Sequence, residues 1–152
     1  MKKQTKRKIW PLVDPIKHAI DGARTTDQVL TNKLLVMELS SLDSMVAGQG
    51  TLHDWHTLTD VLNLCETMAV GGVGPEALPY CETAQDDLQA AAFRYQRIGK
   101  MGLTATGIEA MRHMIEYHDL QRKSISRAEY NNWIVKTRNM IRSKSRRVLE
   151  IS

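Results

Sequence analysis

The chain has 152 residues, 42% hydrophobic and 25% charged, with a net charge of +4; these values suit one soluble domain long enough to bury a core. No window approaches the roughly 18 apolar residues of a membrane span. Cys65 and Cys81 lie far apart and outside any CxxC pattern, which fits reduced core thiols and argues against a disulfide framework or a zinc site.

The charge is unevenly spread. Residues 1–24 hold seven basic and two acidic side chains, residues 25–90 one and ten, residues 91–152 thirteen and five. A basic, then acidic, then basic chain points to partners that are nucleic acids or proteins that handle them.

Met1–Lys8, MKKQTKRK, reads as part of a basic tail over 1–13, ahead of a single helical domain over 14–152. Lys2, Lys3, Lys6, Arg7 and Lys8 are either a solvated terminus or an arm for phosphates. The following IWPLVDPIKHAIDGA meets Pro and Asp too early for the apolar core of a secretory signal. Asp14-Pro15 is an N-cap followed by Pro at the first helical position, so a short helix is expected to Asp21, with Gly22 as its stop.

Thr25-Thr26-Asp27 opens a helix over about 26–47. Leu30, Leu34, Met37 and Leu42/Met45 mark its inner face, widened by Val29, Val36 and Val46. Thr51, with Asp54 three residues on, caps the next helix, about 51–70. Leu52, Trp55, Leu58, Leu62, Cys65 and Met68/Ala69 recur on one face, and Gly71-Gly72 supplies the stop. The short connection makes the two an antiparallel hairpin near 26–70. Its outer faces are acidic, and Asp43, Asp54 and Asp60 are candidate contacts for a protein partner. His53 and His56 have a spacing at which two ligands share a metal, but no further ligands stand at recognisable spacing. They read as surface histidines, and no metal or cofactor site is assigned.

Gly71–Tyr80, GGVGPEALPY, lacks the GK[ST] ending and the preceding strand of a phosphate loop; it reads as helix stop and linker. A helix over about 82–99 follows, with Ala84, Leu88, Ala91/Ala92, Tyr95 and Ile98 as its seam. Its acids come first and its bases last, as the helix dipole favours. Thr106-x-x-Glu109 is a capping box for a helix over about 107–122 with Ile108, Met111, Ile115 and His118 inward. Ser126-x-x-Glu129 is a second box, opening a helix over about 127–147 with Tyr130, Trp133/Ile134, Thr137 and Ile141 inward. With no stretch of convincing period two, the fold class is all-α, a single-domain helical bundle of about five to six helices.

Glu109 and His113 pair at i,i+4 within EAMRHMIEYHD. A carboxylate–imidazole pair can serve acid–base catalysis, but no nucleophile, oxyanion loop or cofactor motif accompanies it, so the pair reads as surface pairing and no enzyme is expected. The last helix carries more. Arg138, Arg142 and Arg146 fall at i, i+4 and i+8, Lys136, Lys144 and Arg147 broaden the stripe, and Arg127, Asn131 and Asn132 lie near its start. Arginines on phosphates with an Asn near base edges make a nucleic-acid face. The rival reading docks this basic face on the acidic hairpin of the same chain or of a second copy in a homo-oligomer. The last two helices loosely resemble a helix-turn-helix, although the turn lacks the usual glycine and the final helix is long for recognition.

With the basic start, GQGTLHDWHTLTDVLNLCETMA followed by GGVG, and GIEAMRHMIEYHDLQRKSISRAEY in view, the chain resembles small proteins encoded by phages, prophages and mobile elements of Gram-negative bacteria. The resemblance covers most of the chain and carries no residue-level chemistry. It implies a protein of the bacterial host cytoplasm that acts as a binder: a nucleic-acid-associated regulator, or an inhibitor of a host system such as a CRISPR-type defence, which the acidic hairpin would serve.

Overall fold

The computed structural model describes residues 28–143. Five helices follow one another, with no strand among the described residues: α1 Gln28–Val46, α2 Leu52–Val70, α3 Leu78–Ile98, α4 Ala105–Ser124 and α5 Arg127–Ser143, with a 3-10 turn at Pro75–Ala77 ahead of α3. The all-α bundle expected from the sequence is present. The basic tail and the short helix expected from Asp14 lie outside the described residues.

α2 is the post around which the others stand, packing against α1, α3, α4 and α5. Its ends are closed as the sequence indicates. Thr51 Oγ1 accepts from the Asp54 N–H at 3.2 Å while the Asp54 carboxylate accepts from the Thr51 N–H at 2.9 Å. At the other end Gly72 takes φ +97°, and the Val73 N–H returns to the Met68 carbonyl at 2.9 Å, a Schellman closure that a left-handed glycine permits. Trp55, Leu58, Leu62 and Cys65 of α2 meet Leu42 and Met45 of α1, Ala84, Leu88 and Ala91 of α3, and Ala110, Met111 and Ile115 of α4 in the main core. Trp55 also donates its indole N–H to the Leu88 carbonyl at 2.9 Å, which gives the one polar atom of a fully buried ring a partner.

Several local expectations are corrected. Val29, Val36 and Val46 do not widen the buried face of α1; they are exposed, as is Met37. The inward line runs through Thr31, Glu38, Ser41, Leu42 and Met45, because Glu38 meets an arginine of α4 and turns a polar register inward. α3 begins at Leu78, not near Glu82, because the 3-10 turn feeds straight into it and Pro79 falls in the first turn, where its missing N–H costs nothing. Ile98, expected on its seam, is exposed. α4 is capped by Thr104, not Thr106. Thr104 Oγ1 accepts from the Gly107 N–H at 3.1 Å, and Asp87 of α3 accepts from the Thr104 N–H and hydroxyl at 2.9 and 3.0 Å. This tertiary contact decides between two otherwise similar threonines. Among the described residues no helix is long and apolar enough to cross a membrane.

Candidate nucleic-acid interface

α5 starts as its sequence indicates, with Ser126 Oγ accepting from the Glu129 N–H at 3.1 Å. Tyr130 and Thr137 are buried, and Trp133, Ile134 and Ile141 are half-buried. α5 rests chiefly on α2. The Trp133 ring lies directly over Gly71, where any Cβ would collide with it; the glycine stop of α2 thus doubles as the seat for α5.

Arg127, Lys136, Arg138 and Arg142 are all exposed on α5, but they do not form one patch. At 100° per residue, Arg127, Arg138 and Arg142 fall within about 60° of one another, whereas Lys136 lies about 160° from Arg138. Lys136 sits over the Trp133 ring, 4.9 Å from its centroid, in a cation–π contact. Asn131 shares the arginine flank and Asn132 does not. Lys2, Lys3, Lys6, Arg7, Lys8, Lys144, Arg146 and Arg147 lie outside the described residues.

The arginine flank borders a groove of about 270 Å³ between α2 and α5, lined by Asp60, Asn63 and Leu64 on one side and Ile134, Thr137, Arg138 and Ile141 on the other. A second hollow of about 190 Å³ shares Asp60 and Leu64 and reaches Glu38, His118 and Tyr130. Burial raises the Asp60 carboxyl above its ordinary pKa, opposed by His56 and Arg138. One acid of the expected protein-binding set therefore stands opposite one arginine of the expected nucleic-acid set. The other two acids lie elsewhere. Asp43 is exposed near the end of α1, and the Asp54 carboxylate is engaged by the Thr51 cap. Asp54 and Asp60 point about 120° apart around α2.

Beneath the groove lies a polar cluster that the sequence reading missed. Arg122 is fully buried and donates twice to Glu38, at 2.6 and 2.8 Å. Asp119 stands 3.6 Å from the same guanidinium and accepts from Lys123 at 2.7 Å. Burial opposes the Arg122 charge, but the two bonds to Glu38 outweigh it and hold the pKa above its ordinary value. His118, expected inward, is fully buried between Gln121 and Tyr130. The only sequence hint was an acid, Glu38, in register with Leu42 and Met45.

Among the described residues the other histidines reach the surface. His113 stands 3.9 Å from both Glu109 and Glu116, and its ring lies against Tyr80 at 4.8 Å. His53 and His56 are exposed, with His56 edge-on to Trp55. Among the described residues no three His, Cys, Asp or Glu side chains gather as metal ligands. Comparison of the chain with protein-family models, with curated proteins and with solved structures finds no match.

Proposed function

We propose that the protein is a non-enzymatic binder of nucleic acid that acts as a regulator, and that it engages phosphates through Arg127, Arg138 and Arg142 of α5. The observation that carries this reading is their common exposed flank, which runs beside the face of α5 that packs on α2 and borders the groove there. Arginine suits the role because its planar fork matches phosphate oxygens and its charge is permanent. The lysines and arginines of 1–8 and 144–147 add to the same field by their charge alone. The regulatory setting rests on the resemblance to phage and mobile-element proteins. An inhibitor presenting Asp43, Asp54 and Asp60 as one acidic surface has less support, because Asp54 and Asp60 point about 120° apart around α2 and the Asp54 carboxylate is engaged by the Thr51 cap.

The test is fluorescence anisotropy of the full chain with labelled DNA and RNA at low salt. Arg138→Ala combined with Arg142→Ala is expected to weaken binding at least tenfold and to lower the slope of log affinity against log salt by roughly 1.4–1.8, the loss of two phosphate contacts. Absence of binding, or binding indifferent to both substitutions, overturns the reading.

A further inference from the structure

An acid facing a phosphate-binding flank is an anomaly, because Asp60 repels the ligand that Arg138 attracts. Both side chains line the groove between α2 and α5, and neither is among the ion-paired side chains of the described residues. An ionised carboxylate is acceptor-only and binds best to two parallel donors, as it does to an arginine fork. Among nucleobases, guanine alone offers that pattern on its pairing edge, through its ring N1–H and exocyclic amino group. Thymine and uracil present one N–H between two carbonyls, and adenine and cytosine each set a ring acceptor beside the amino group.

Both walls of the groove carry apolar side chains that can contact the faces of such a ring. Leu64 stands on one side and Ile134 and Ile141 on the other, an apolar slot that takes a planar surface. Its volume of about 270 Å³ lies just under the roughly 300–1,000 Å³ of small-molecule sites, so it suits one base better than a whole nucleotide. Arg138 on the wall, with exposed Arg142 one turn on, supplies positive charge beside the groove for the adjoining phosphates. A base in a duplex cannot enter, because its pairing edge is occupied and its faces are stacked; unpaired bases of single strands can be splayed out and read on that edge.

We propose that the groove between α2 and α5 receives one unpaired guanine of a single-stranded nucleic acid, its pairing edge on the Asp60 carboxylate and its flanking phosphate on Arg138. This deepens the nucleic-acid reading above and rests on it.

The experiment compares, by anisotropy with the full chain, a thymine oligonucleotide carrying one central guanine, the all-thymine strand, the guanine strand annealed to its complement, and free guanosine monophosphate as competitor. The guanine strand is expected to bind roughly tenfold more tightly than the all-thymine strand. Asp60→Ala should collapse that ratio to near unity, and Arg138→Ala should weaken both strands. Asp60 is exposed, and circular dichroism of the variant checks that it folds. Equal affinity for the two strands, a preference that survives Asp60→Ala, or a preference retained in the duplex overturns the proposal while leaving phosphate binding intact. Monophosphate that competes as well as the guanine strand overturns it in favour of a free-nucleotide site. If no nucleic acid binds at all, the proposed function itself falls.

Discussion

His118 has no exposed surface, and both its ring nitrogens are engaged. Gln121 donates its amide to the carbonyls of Cys65 and Val73 at 3.2 and 2.7 Å, which turns its Oε1 towards the imidazole. His118 Nδ1 therefore donates to Gln121 at 2.8 Å, and Nε2 accepts from the Tyr130 hydroxyl at 3.2 Å. A second N–H on the ring would force the Tyr130 hydroxyl to turn from donor to acceptor. Burial, reinforced by the neighbouring Arg122 charge, pushes the pKa down to about 3 from 6.5. The unfolded chain takes up this proton near 6.5 and the folded chain refuses it until about 3. The stabilisation is thus fully present above 6.5 and is lost as pH falls towards 3, at about 1.4 kcal/mol per pH unit. Urea unfolding at pH 6.5 and pH 5 should show a loss of roughly 2 kcal/mol from this group. His118→Gln should start less stable at pH 6.5 and lose correspondingly less on acidification. An identical acid slope in the variant would rule out His118 as the source.

At the scale of elements, the join between α3 and α4 shows how one contact sets a helix boundary. The Asp87 carboxylate holds the Thr104 cap and occupies the space where a side chain at position 107 would begin. Ala in place of Gly107 would gain up to about 1 kcal/mol in helix propensity. It would also drive the Asp87 carboxylate off the cap, so a net loss of about 1–3 kcal/mol is expected. Gly102→Ala, facing open space, is the control and should leave the urea midpoint nearly unchanged; equal midpoints for the two variants would refute the argument. The same join marks how far local sequence reaches. Thr51-x-x-Asp54, Gly71-Gly72 and Ser126-x-x-Glu129 act within a few residues of chain, and each boundary was legible. Thr104 prevails over Thr106 through a carboxylate on another helix, and no spacing rule contains that. The inner face of α1 is legible at Leu34, Leu42 and Met45 but not at Met37 or the three valines. Those have a suitable spacing and yet stay exposed, because the buried Glu38–Arg122 pair takes the inward register. The arginine flank of α5 could be read from spacing alone, whereas the groove beside it, with Asp60 facing Arg138, arises only when α2 and α5 pack together.

For the molecule as a whole, the bundle is unevenly held. Among the described residues α2 touches every other helix, while α5 leans chiefly on α2, through a small cluster in which Met68, Leu64 and Val73 meet Tyr130, Trp133 and Ile134. Elements with few partners open at lower free energy than the core they rest on. Amide hydrogen exchange should therefore be faster across α5 than across the buried turns of α2. Gly71→Ala, which displaces Trp133 from its seat, should accelerate exchange in α5 well before α2 responds. Uniform protection across both helices would contradict this order. The proposed binding flank thus stands on the least anchored of the described helices and leaves the core unburdened by it.

The two cysteines follow the opposite logic. Cys65 and Cys81 face each other across α2 and α3 with their sulfurs 3.7 Å apart and essentially no exposed surface. The thiol–thiol contact with Cys81, together with burial, pushes the Cys65 thiol above its ordinary pKa, so the thiolate that an alkylating agent attacks is scarce at Cys65 as well as hidden. A thiol reagent added to the folded protein meets neither sulfur until α2 and α3 part. The pair thus works as an internal clock, in which each alkylated molecule records one opening of the main core, whatever α5 is doing.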